Sequence, residues 1–80
     1  MKMENIVLPI NKFITVEQRV CSQLYGMGKN EAIRYICNND LCARIMQEDK
    51  KMYNAPQNDY ISSRINLNVQ RGRIVGAYVG

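Results

Sequence analysis

The strongest constraint on this chain is a change of hydrophobic period near residue 60. Ile61, Ile65, Leu67 and Val69 alternate with Ser62, Arg64, Asn66, Asn68 and Gln70. A period of two places one set on each face of an extended strand, apolar against a core and polar away from it. Arg71 and Gly72 follow, and residues 74–79 are apolar again. Two apolar runs joined through a glycine predict a β-hairpin. A two-residue turn would set Val69 opposite Ile74, and a three-residue loop with a bulge would set it opposite Arg73; the pattern accommodates both.

Upstream, the period is helical. Residues 5–10 read as a short strand that Pro9 confines to an edge or ends, because proline offers no N–H. Thr15 and Gln18 have the spacing of a capping box, and Val16, Val20, Leu24 and Met27 then recur on one side of a helix that Gly26 and Gly28 stop. Asn30 is a candidate cap for a second helix to Cys37, with Ala32, Ile33 and Ile36 on its apolar side. Asp40 is a candidate cap for a third, running to Tyr53, and residues 55–59 form a polar linker. The expected architecture is α+β: a short N-terminal strand, three helices and a C-terminal hairpin. It forms one compact domain over residues 1–80, with a winged-helix-like arrangement as one way to assemble it.

An 80-residue chain buries only about 60% of the surface it exposes when unfolded, so pairing with itself is a natural source of further burial, and a homodimer is expected. Its hydrophobic fraction of 46% suits a folded core. The longest purely apolar stretch near the N-terminus is Ile6, Val7 and Leu8, and no segment approaches the roughly 18 apolar residues of a membrane span. The opening residues lack the pattern of a secretory signal. Cys21, Cys37 and Cys42 are odd in number and widely spaced, which points to reduced, mostly buried thiols and a cytoplasmic setting.

The chemistry is notable for what it lacks. There is no histidine, which removes the commonest general base and the commonest metal ligand. Three scattered cysteines do not make a zinc site, and no glycine-rich phosphate loop is present. Glu48 and Asp49 are adjacent, so on a helix their side chains would diverge by about 100° rather than share a substrate. No enzyme activity, metal or cofactor is expected.

Charge supplies the positive part of the reading. The chain carries eleven Lys/Arg and seven Asp/Glu, a net +4. Arg64, Arg71 and Arg73 lie beyond residue 60, where there is no acid. On the expected third helix, Arg44, Gln47, Lys50 and Lys51 share a side opposite Leu41, Ile45 and Met52, and Asp49 falls among the apolar positions as a misfit. On the hairpin, Arg64, Asn66, Asn68 and Gln70 point one way, with Arg71 and Arg73 flanking the turn. Arginine and lysine neutralise phosphates, while Asn, Gln and Arg also read base edges. These ten residues are the candidate contacts of a small nucleic-acid-binding regulator of DNA or RNA. Five tyrosines, with Tyr35 the best exposed candidate, could stack on bases. The alternative is a small inhibitor or accessory protein that blocks a host or defence protein. The short Lys-, Asn-, Ile- and Met-rich chain has the general look of phage-encoded proteins of that kind, with no residue-level motif behind it. Tyr, Met and Arg also suit a protein interface.

Overall fold

The computed structural model describes residues 14–53 and 59–80. The strand expected at residues 5–10 and most of the expected linker lie outside the described residues. Two helices and four strands follow in the order α1 (Val16–Gln23), α2 (Lys29–Asn38), β1 (Cys42–Glu48), β2 (Lys51–Met52), β3 (Arg64–Gln70) and β4 (Arg73–Val79). The strands form one mixed sheet in the order β2-β1-β3-β4. β1 and β3 are parallel, and the outer pairs are antiparallel. The fold is α+β, but not the three-helix, winged-helix-like arrangement expected from the sequence.

Local signals account for both helices. Thr15 caps α1: its Oγ1 accepts the Gln18 N–H at 3.1 Å, and Gln18 Oε1 accepts the Thr15 N–H at 3.1 Å. For α2 the cap is Gly28 rather than Asn30, with Glu31 Oε1 accepting the Gly28 N–H at 3.3 Å. Glu31 in the first turn also complements the positive end of the helix dipole.

The expected third helix is instead a strand, a turn and a short return strand. Asp40 and Asp49, at φ 61° and 54°, both adopt the left-handed conformation that Asp tolerates better than most residues. They punctuate β1 at each end. Asp49, the misfit on a helical wheel, is a turn residue. Along β1, Ala43 and Ile45 pack on the core while Arg44 lies on the other face. The β1–β3 register then skips one residue, pairing Ile45 with Leu67 and Gln47 with Asn68. The bulged residue, Met46, reverses the parity, so Gln47 joins the open face and Glu48 turns toward the helices.

The hairpin forms as the alternation predicts, with the two-residue turn: Val69 faces Ile74 and Gln70 faces Arg73. Arg71 and Gly72 have φ of 51° and 76°, the two left-handed residues a type I′ turn requires. A second register shift leaves Val75 unpaired and sets Gly76 opposite Asn68. A Cβ on Gly76 would lie 3.0 Å from Asn68 Nδ2, so glycine leaves room for that amide.

Both helices cover the same face of the sheet. Val20, Cys21 and Leu24 from α1 meet Ala32 and Ile36 from α2 over Ile65, Leu67, Val69 and Ile74, with Leu41 at the margin. Burying each large aliphatic side chain stabilises the fold by about 1.5–3 kcal/mol relative to exposure. Among the described residues no helix is long and apolar enough to cross a membrane.

Candidate nucleic-acid interface

The sheet divides the ten sequence-derived candidates into two groups. Lys50, Lys51, Gln70, Arg71 and Arg73 are exposed at one end, on the β1–β2 and β3–β4 turns. The remaining five lie along the open face, where β1 and β3 run side by side. The basic helix face proposed from Arg44, Gln47, Lys50 and Lys51 does not exist, because those residues belong to β1, β2 and the turn between them.

The two turns are joined by Asp49. Its N–H donates to the Val69 carbonyl at 2.8 Å, and its carboxylate accepts the Arg71 N–H at 2.8 Å. Asp49, Lys50, Gln70 and Arg71 line a shallow cleft of about 280 Å³ between the turns. The N-terminus of α2 sits beside them: the Lys29 N–H donates to the Gly72 carbonyl at 2.8 Å, and Gly28 bridges to Arg73. Lys29 Nζ is bound by Glu48 at 2.9 and 3.0 Å. Arg73 donates to the Gly26 carbonyl at 3.1 Å, and the Lys51 ammonium lies 5.3 Å from the centre of the Tyr53 ring, within cation–π range. Two of the acids at this end therefore have partners, while Lys50, Lys51, Arg71 and Arg73 face solvent.

The open face holds a polar cluster of a different kind. Arg44 Nε donates to Asn66 Oδ1 at 2.7 Å, and its Nη1 is paired with the Asp59 carboxylate. Arg64 donates through Nε to the Gly80 carbonyl at 2.8 Å, and its Nη2 contacts both the Asp59 carbonyl and, at 3.3 Å, the Asp59 carboxylate. Asn66 is fully buried although it points away from the helices. The reason is that Asp59 and Tyr60 lie over this face, Asp59 against Arg44 and Arg64 and Tyr60 against Gly80. The Arg44 guanidinium, helped by Arg64, holds the Asp59 carboxyl below its ordinary range against the opposing effect of desolvation. Arg44, Arg64 and Asn66 are thus engaged within the protein. Gln47 and Asn68 are half-buried beside them.

The other sequence expectations divide similarly. Cys21 is buried, and burial raises its thiol pKa, but Cys37 and Cys42 are exposed at the end of α2 and the start of β1. Tyr35 packs partly against the core, while Tyr25, Tyr53, Tyr60 and Tyr78 are the exposed tyrosines. Asp59, read from sequence as part of a linker, organises the open face, and its pairing depends on a parallel register that no local pattern announces. Among the described residues no three metal-ligating side chains converge. Comparison of the chain with protein-family models, with curated proteins and with solved structures gives no match.

Proposed function

We propose that this chain is a small non-enzymatic regulator that binds DNA or RNA through the paired-turn end of its sheet, chiefly by contacts to phosphate. The observation that carries this reading is the gathering of Lys50, Lys51, Arg71 and Arg73, all exposed, on two turns tied together by Asp49. Their attachment to a common sheet end reduces the ordering that phosphate contact requires. Gln70, exposed beside them, is the remaining candidate for a base contact. The engagement of Arg44, Arg64 and Asn66 within the open face argues for backbone contact over sequence reading. The absence of histidine supports a binding role over a catalytic one.

The test is direct. Purified without nuclease and at low salt, the protein should carry nucleic acid, raising its 260/280 nm absorbance ratio, and high salt should strip it. A protein that retards neither DNA nor RNA in gel shifts at low salt does not work this way.

A second reading has its own support. Met52 and Tyr60 are 71% and 69% exposed, with Tyr53 and Ile61 also at the surface. Exposed Met and Tyr favour a protein partner, as the inhibitor or accessory role requires. Co-purification of one stoichiometric host protein with a clean absorbance ratio would select it.

A further inference from the structure

The two edges of the sheet are protected very differently. β2 is two residues long and carries Lys51, both features that discourage further strand pairing. β4 is seven residues long, and among the described residues only its start is covered. There the Gly26 N–H donates to the Ile74 carbonyl at 3.0 Å, and the Ile74 N–H donates to the Met27 carbonyl at 2.9 Å. Beyond Ile74 no described residue lies in sheet register against the outer edge of β4. Residues 74–80 contain no charged side chain and no proline. Val75 and Tyr78 are 49% and 48% exposed.

The phase of this edge is fixed. The Gly80 N–H donates to the Arg64 carbonyl at 2.9 Å, so Gly80, and by alternation Tyr78 and Gly76, turn their backbone groups toward β3. Ala77 and Val79 turn theirs outward. We propose that a second copy of this chain occupies the edge, its β4 pairing antiparallel with β4 about a two-fold axis at Ala77. One general principle and two observations select a second copy. A strand pairing with its own copy across a two-fold is self-complementary without further design. In this register Tyr78 lies opposite Gly76 of the second copy on the same face, an aromatic beside a residue with no side chain of its own, and the matched stretch runs from Gly76 to Tyr78, ending at the bulge that leaves Val75 unpaired. Arg73, the nearest charge, falls outside the paired stretch, so no like charges oppose. The result is a continuous eight-stranded sheet, which closes the one long uncharged edge among the described residues. It does not depend on the nucleic-acid reading.

The experiment is sedimentation equilibrium without nucleic acid, up to about 1 mM protein, where even a weak dimer is populated. The wild-type chain should show twice its 9.2 kDa mass. Val75→Lys, which places a charge on the edge from an exposed position, should weaken the dimer at least tenfold with an unchanged far-UV circular dichroism spectrum. Arg71→Ala should leave it intact. Where Val75→Lys disturbs folding, Ala77→Cys combined with Cys37→Ser and Cys42→Ser decides. The introduced thiols face one another across the axis, with Cα atoms about 5.5 Å apart. They should cross-link under mild oxidation. A monomeric wild type at the highest concentration, a dimer indifferent to Val75→Lys in a folded protein, or failure to cross-link overturns the proposal.

Discussion

Asp49 accepts the backbone N–H of Arg71 at 2.8 Å, across two turns that belong to different strand pairs. The bond sets the β1–β2 turn against the β3–β4 turn and fixes the spacing of Lys50 and Arg71 on either side of the cleft they share. Asp49→Ala removes the acceptor and places alanine in a left-handed conformation, at φ 54°. The expected loss is about 1–2 kcal/mol. Asp49→Asn keeps both an acceptor and left-handed tolerance, and should stay within about 0.5 kcal/mol of wild type. Urea unfolding of the two variants checks the difference.

Gly72 has φ of 76° and open space where a Cβ would go, so its requirement is conformational only. Gly72→Ala should cost about 1–2 kcal/mol, and Gly72→Asn distinctly less. Equal losses would mean that something other than backbone conformation is at stake in the turn.

Asn66 supplies the acceptor for Arg44 Nε and is fully buried. Asn66→Ala leaves that donor unpaired and opens a void, for an expected loss of about 2–3 kcal/mol. In a double-mutant cycle with Arg44→Ala the two losses should be markedly less than additive, because each single change already breaks the same bond. Additive losses would show that the cluster does not act as a unit.

The Asp59 carboxyl is held below its ordinary range, first by Arg44 and then by Arg64. The folded protein therefore binds fewer protons than the unfolded chain across the interval between the two pKa values. The stabilisation is fully present above the ordinary carboxylate value of about 4 and is lost as pH falls through the lower folded value. Stability measured between about pH 2 and 6 should decline more steeply in wild type than in Asp59→Asn. Parallel profiles would show that Asp59 is not held by the arginines in solution.

Much of this arrangement is visible in the sequence, and the reason for each success is local. The hairpin over β3 and β4 follows from strict alternation and a turn containing glycine. The start of α1 follows from the Thr15–Gln18 box. The segment after Asp40 misleads because Leu41, Ile45 and Met52 satisfy a helical spacing, while the bulge at Met46 breaks the alternation that would have marked a strand. Asp49 among apolar positions was the signal against a helix. The candidate site divides for a related reason. Turn residues such as Arg71 and Arg73 are exposed by their place in the hairpin, so local reading finds them. Arg44 and Arg64 are engaged by Asp59, and Asn66 by Arg44 across the parallel β1–β3 pair. That is a long-range fact with no local signature.

The central claim is phosphate contact by the paired-turn end, and its most direct test is the salt dependence of binding to one duplex and one single strand. Arg71→Asn is the informative variant, because Asn suits the left-handed position at φ 51° and so removes the charge without straining the turn. Combined with Arg73→Ala, it should weaken binding and shallow the slope of log K against log salt by about 0.9 per lost duplex contact, or about 0.7 on a single strand. Wild-type binding that is absent, or whose slope is unchanged in the folded double variant, would contradict the account.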